Sequence, residues 1–235
     1  MGLLQKDFEK DTYMSVLLNV KVDHLPSVDS RSQMAFAYRL AKYAQYNKSN
    51  TLTQPIRAMK IFLNEMNVIR RNDYVDILSL LLDYVVCNSY LMTMSDISRL
   101  FGEIVAQQVD SLIAINKIVN SRANITTAKQ KKYTDQFTHN IMMIKAAIVI
   151  AELRSLTLNA LKGFPAKIHT RYLPIFDAYP EVGDFVAAQL KKWLLTKLQA
   201  AQRSDKEDYK LTSGDLFKYF AIIKDQRLQS TKFNF

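Results

Sequence analysis

Residues 76–117 read DILSLLLDYVVCNSYLMTMSDISRLFGEIVAQQVDSLIAINK, and this stretch decides the fold. Its first part is almost unbroken apolar sequence. Ile77, Leu78, Leu80, Leu81, Leu82, Val85 and Val86 leave little polar face, the pattern of a helix enclosed on all sides. Asn72 and Asp73 are suited to cap its start. This helix is expected at the centre of the fold, with Asp83 embedded in it. Thr93 or Ser95 then opens a short helix that closes at Phe101 and Gly102, where glycine can take a left-handed conformation that other residues resist. A longer helix follows over residues 103–120.

Outward from this stretch the pattern stays helical. Upstream, Ser27, Asp29 or Ser30 can cap a helix running to about residue 47, with Met34, Ala37, Tyr38, Ala41 and Ala44 on one side. Pro55, at a favoured first helical position, opens another that carries Ala58, Met59, Ile61, Phe62 and Met66 to about residue 69. Downstream, polar residues 121–127 read as a loop, and a helix long for a globular protein is expected over residues 128–161, with a kink near Thr134 or Ser155, stopped by Gly163 and Pro165. Pro174, Pro180 and Gly183 punctuate a short segment before an amphipathic helix over residues 184–202. A charged stretch, residues 203–210, precedes a last helix near residues 215–225, capped from Thr212 or Ser213.

Composition agrees. Of 235 residues 49% are hydrophobic, enough for a substantial core, and only five are Gly and five Pro, too few for the turns of a strand-rich protein. The expected fold is all-α. The economical organisation is a single helical domain over residues 1–235, with a core at about 31–165 and peripheral C-terminal helices over 166–235. The lone Cys87 excludes an intrachain disulfide and a multi-cysteine zinc site, which fits a reducing, cytoplasmic setting. The longest apolar run, residues 141–153, is interrupted by Lys145 and too short to span a bilayer. The first residues lack the apolar core of a secretion signal, and Lys6 stands where a myristoylation signal wants Ser or Thr.

A formal charge of +10 attracts phosphates, nucleic acid or an acidic partner without selecting among them. The basic residues are scattered, at Arg70 and Arg71, Lys129, Lys131 and Lys132, Lys191 and Lys192, and Lys197. Solvated helix faces account for them. His24, His139 and His169 lie far apart and show no metal-motif spacing, so surface or packing roles are expected. Cys87, one helical turn from Asp83, reads as an inert buried thiol.

The order of these residues resembles the HD-domain phosphohydrolases of the RelA/SpoT alarmone type. Such enzymes carry an apolar helix ending in Leu-Leu-His-Asp, an acidic pair three residues on, a Phe-Gly after a short helix, and a helix containing Val-Asp. The corresponding positions here are Leu81, Leu82 and Asp83, then Val86 and Cys87, Phe101 and Gly102, and the helix from Val105 through Asp110. Upstream, the family shows Ala-His, a Gln three residues later, an Arg-Lys-Ser-Gly turn and a His-Pro. This chain has Ala41 and Lys42, Gln45, Asn47 through Asn50, and Gln54 with Pro55. The similarity covers residues 31–120, and much of it is apolar pattern.

The resemblance implies an HD-domain-like helical bundle with additional terminal helices, in which the ligands of the family's catalytic divalent cation have been replaced. Carried over by position, those ligands become Lys42, Gln54, Leu82 with Asp83, and Glu152. An ammonium has no lone pair to give, leucine has no donor atom, and an amide is a poor ligand for a transition ion. The acidic pair is replaced by Val86 and Cys87, which removes the groups that would act on an attacking water. No catalytic residue, metal or cofactor is therefore expected. The implied function is that of a catalytically inactive pseudo-hydrolase, binding a phosphorylated nucleotide or a protein partner, with Lys42, Tyr43, Tyr46, Lys48 and Asp83 as candidate ligand-binding residues. Tyr38, Tyr43 and Tyr46 are explained as well by helix packing. Two alternatives stay open: an active phosphohydrolase with a site rearranged around Asp83 and Glu152, and an all-α nucleic-acid binder.

One further expectation concerns Asp83. A carboxylate inside Leu-Leu-Leu-Asp-Tyr-Val-Val is costly to bury alone, and Lys42 places a positive charge at a former ligand position. The expected arrangement is a salt bridge between them. The alternative is an Asp83 that reaches solvent or accepts a hydroxyl hydrogen bond.

Overall fold

A computed structural model of the chain describes residues 28–46, 54–66, 73–88, 92–121, 136–156 and 164–202. The described residues form helices α1 (Val28–Tyr46), α2 (Gln54–Lys60), α3 (Asp73–Asn88), α4 (Met94–Phe101), α5 (Glu103–Asn120), α6 (His139–Ser155), α7 (Phe164–Lys167), α8 (Leu173–Phe176) and α9 (Pro180–Gln202). Two π-helical segments complete the set: Ile61–Glu65 continues α2, and Ile168–Tyr172 joins α7 to α8. No strand occurs among the described residues, and no helix among them is long and apolar enough to cross a membrane. The chain is all-α, and it divides into two compact units, Met1–Pro55 with Asn67–Ile113, and Ile56–Met66 with Ala114–Phe235.

In the first unit α1 packs against α3. Ala37, Ala41 and Ala44 recur at helical spacing on α1 and are buried, and small side chains there let the axis of a neighbouring helix come close. From Asp76 to Val85 every residue of α3 is buried, as expected of a central helix. Polar groups on so enclosed a helix need internal partners. Ser79 Oγ lies 2.8 Å from Val75 O and 2.6 Å from Gln108 Oε1, with one hydroxyl proton between the two acceptors, while Gln108 Nε2 donates to Asp76 Oδ1 (3.0 Å). The α3 and α5 helices are thus tied by one amide. Gln33 makes the corresponding tie from α1, accepting from Tyr74 Oη and donating to Leu100 O (2.9 Å).

The short helix α4 is set by its ends. Thr93 is its N-cap, with Thr93 Oγ1 accepting from Asp96 N (3.2 Å) and Thr93 N donating to Asp96 Oδ2 (3.0 Å), a reciprocal capping box. Donation from Thr93 N, and from Thr93 Oγ1 (2.7 Å), to Asp96 Oδ2 holds the Asp96 carboxyl below its ordinary range. At the other end Gly102 has the expected positive φ, but φ 93° with ψ 159° is the extended region that only glycine populates, not the left-handed helical one.

In the second unit α6 packs against α9 and against the π-helical segment Ile61–Glu65. Every residue from Ile141 to Ala151 is buried, and α9 contributes Val182, Val186, Ala187, Leu190, Trp193 and Leu194 to the same core. The structure corrects the sequence reading in three places here. Residues 137 and 138 are not helical, and α6 starts at His139 with Thr138 as N-cap, its Oγ1 accepting from Ile141 N (3.4 Å). The sequence pattern hid this start because Thr138 lies among polar residues on both sides, Asp135 and Gln136 before it and His139 and Asn140 after it. Pro165 lies in the first turn of α7, where its missing N–H costs nothing, so it begins a helix rather than ending one. The segment read as punctuated is itself helical, and α9 opens at Pro180, four residues before the expected start. Residues 128–135, 157–161 and 215–225 of the expected helices lie outside the described residues.

Two glycines separate conformational strain from crowding. A Cβ at Gly102 would meet nothing within 4 Å, so its requirement is purely one of φ. A Cβ at Gly183, inside α9, would lie 2.8 Å from Asp177 Oδ1, a carboxylate that can turn aside. Gly102→Ala should therefore lower unfolding free energy by about 1–3 kcal/mol. Gly183→Ala should cost less, because alanine's helix preference of about 1 kcal/mol offsets the displacement. Urea midpoints of the two variants, compared at equal m-value, test the contrast.

Candidate functional site

The residues expected to form the site are distributed over both units. Leu82 is fully buried on α3, and beside it Asp83 is only 3% exposed. Asp83 Oδ1 accepts from Cys87 Sγ at 3.4 Å, one turn further along the helix. Cys87 itself is exposed, which corrects its reading as a buried core thiol: α3 ends at Asn88, and its last turn leaves the apolar sheath. Val86 is half-buried. Gln54 is the first residue of α2 and half-buried. Lys42, Tyr43 and Tyr46 stand in the last turns of α1, the helix that packs against α3, but their side chains lie outside the described residues, as does all of Lys48. The expected pairing of Lys42 with Asp83 therefore also lies outside them.

Glu152 belongs to the second unit, on α6. Burial pushes its carboxyl above the ordinary range, against the opposing pull of Lys145 and Lys167. Lys145 is 2% exposed in the middle of the apolar run of α6. Lys167 Nζ donates to Asn120 Oδ1 (2.8 Å) and lies 5.8 Å from the centre of the Tyr172 ring. In sequence Lys145 was legible only as an interruption of an apolar run, and nothing marked it as a charge buried on the same helix as Glu152.

A second charged constellation in this unit was not legible at all. Arg154 Nη1 and Nη2 donate to Glu65 Oε1 and Oε2, each at 2.6 Å, in a bidentate pair, and Nη2 also donates to Gln189 Oε1 at 2.6 Å. Arg154 holds the Glu65 carboxyl below its ordinary range, with Lys192 and Lys60 adding smaller pulls against the opposing effect of burial. The pair joins residues 89 positions apart, with Glu65 at the end of the π-helical segment that packs against α6.

Two of the three histidines fall within the described residues. His139 is half-buried, stacked edge-on against Tyr179 at 5.2 Å, with Nε2 2.8 Å from Glu181 Oε1. His169 is half-buried in the second π-helical segment, and His24 lies outside the described residues.

Comparison with models of known protein families, with curated proteins and with solved structures found no match. What the site can do is therefore set by the chemistry of its own residues. Among the described residues no three His, Cys, Asp or Glu side chains come together as a group able to hold a metal ion. At the positions where the resemblance places metal ligands, Leu82 offers no lone pair, and Asp83 already accepts from a thiol.

The sign of the Glu152 shift fixes a pH dependence. A carboxyl whose folded-state value is raised binds its proton more tightly in the folded chain, so folding loses stability as pH climbs from about 4.5, the unfolded value, through the higher folded one. Glu152→Gln removes that loss. The variant should be more stable than the parent at neutral pH, and the advantage should vanish near pH 4. Thermal melts across pH 4–8 would show it; a constant offset at all pH values would contradict it.

Proposed function

We propose that this chain is a non-catalytic binding or regulatory protein built on an HD-type helical frame, a pseudo-hydrolase resembling the RelA/SpoT alarmone hydrolases. The observation that carries this reading is the pair Leu82 and Asp83: a side chain without a donor atom, fully buried, beside a buried carboxylate that takes a hydrogen bond from Cys87. Hydrolysis by the family's route needs a cation-activated water and an acid to handle its proton. The substitutions at Lys42, Gln54, Leu82, Val86 and Cys87 remove both together, while the apolar frame around them persists. In this reading Lys42, on the helix packed against α3, supplies the positive charge that the cation would have given to Asp83.

The favoured occupant is a protein partner. In the first unit Phe36, Leu100 and Ile104 are 44%, 42% and 66% exposed, around the stacked rings of Phe36 and Phe101 at 6.0 Å. Apolar side chains gathered at a surface in this way support association with another protein. A phosphorylated nucleotide held by Lys42, Tyr43, Tyr46 and Lys48 is the other form of the same reading.

Two measurements test it. Purified chain supplied with manganese should release no pyrophosphate from guanosine tetraphosphate; stoichiometric manganese with metal-dependent release would establish the alternative of a rearranged active site. For the proposed charge pair, Lys42→Met and Asp83→Leu should each destabilise by about 3–5 kcal/mol, and the double variant should recover most of that loss. Strictly additive costs would show that the two groups do not interact.

A further inference from the structure

We infer that the second unit carries a nucleic-acid-binding face, formed where α9 passes the end of α2 and aimed at the phosphodiester backbone of a duplex. The sign of the local charge points to an anionic partner. From Phe185 to Gln202, α9 contains Lys191, Lys192 and Lys197 and no acidic residue. On the neighbouring segment, Gln54–Lys60 and Ile61–Glu65, the charged residues are Arg57, Lys60 and the single carboxylate Glu65.

Geometry joins these two lines of charge. Arg154 is bonded both to Glu65 and to Gln189, so the end of the π-helical turn, the last turn of α6 and the middle of α9 meet at one guanidinium. Gln189 and Lys192 are one turn apart on α9, and both Lys192 and Lys60 act electrostatically on Glu65. The face therefore gathers Lys60, Lys192 and Arg154 around one carboxylate, which Arg154 already neutralises. Glu152, two residues from Arg154, projects about 200° away around α6 and does not offset this charge.

The exposed groups between the cations suit a phosphate backbone. Lys60 and Lys192 are exposed, and Thr196 and Gln199 continue the exposed line along α9 beyond Lys192. Lys197 Nζ is positioned 5.7 Å from the centre of the Trp193 ring. Lysine and amide donors are among the groups that contact phosphates and sugars without reading sequence, while the Thr196 hydroxyl donates to Lys192 O (2.9 Å) within the helix. Trp193 is enclosed by the core, with only 7% of it exposed, and offers no platform for stacking an unpaired base. That favours a duplex over a single strand. An anionic membrane would use the same cations, but it also takes up apolar side chains, and Leu195 is the only large apolar residue exposed on α9 among the described residues.

The test uses the full chain and a fluorescent random-sequence DNA duplex of about 20 base pairs, titrated by anisotropy between about 50 and 200 mM salt. The parent should bind with a log–log salt slope that shrinks by about 1.8 in the Lys60→Glu, Lys192→Glu double variant, with affinity at least tenfold weaker. Arg99→Glu with Lys117→Glu changes the net charge equally at exposed positions on α4 and α5 and should keep most of the affinity. Equal weakening by both double variants would reduce the binding to overall charge and overturn the assignment. So would an absence of duplex binding at low salt, or tighter binding to phosphatidylglycerol vesicles than to duplex. Circular dichroism of each variant separates lost binding from lost fold. None of these readouts depends on metal content or on turnover of guanosine tetraphosphate.

Discussion

The close packing of α1 on α3 is the constraint to which the first unit is built. Ala37, Ala41 and Ala44 give α1 a stripe with almost no side-chain bulk, and α3 answers with side chains buried from Asp76 through Val85. Helices packed over small residues have little room to shift, because a displacement that opens a gap forfeits dispersion contacts along the whole stripe. Everything polar on α3 must then be satisfied from within. Asp76 and Ser79 are served by Gln108, and Asp83 by the thiol of Cys87. Asp76 and Ser79 thus fix α5 alongside α3, whereas the bond to Asp83 stays within α3.

The second unit repeats this logic with other residues. The central helix α6 is as enclosed as α3, and it too carries charge, with Lys145 buried in its middle and Glu152 two turns on. Burying ionisable groups costs folding free energy unless their surroundings compensate, and the upward shift of Glu152 shows that its own compensation is incomplete. Arg154 shows the opposite outcome. Its donors are spent on a carboxylate and an amide at the edge of the core, where geometry is good and solvent still screens part of the cost. The charge of Arg154 at the margin of this unit ties three helical segments together, whereas the ionised carboxylate of Glu152 is disfavoured by its burial.

How much of this was legible in the sequence depended on the range of the cause. The all-α class, the enclosure of α3, the cap at Thr93 and the glycine at 102 follow from residues within a turn or two of each other, and each was readable. The start of α6 at Thr138 was missed because the polar residues on both sides of it give no sign of where the first turn begins. The helical character of residues 164–176 was missed because proline was taken as a terminator, although it is welcome in a first turn. The exposure of Cys87 turned on where α3 leaves its sheath, a tertiary fact. For the candidate site, chemistry was legible and geometry was not. That Leu82 cannot bind a cation is evident from its formula, but the reach of Arg154 to Glu65 spans 89 positions and depends on a helix that widens by one residue.

That widening has a consequence for how the chain tolerates change in length. A π-helical turn holds one residue more than the α-helical turn it replaces, so Ile61–Glu65 acts as an insertion absorbed without a loop. Removing one residue ahead of Glu65 there would restore α-helical spacing with the residues beyond the deletion facing nearly as before, because the wider turn rotates less per residue and its extra residue is already absorbed. The segment Ile168–Tyr172 has the same property. At these two places the chain can lose a residue while the side chains beyond keep their direction and the helices their order.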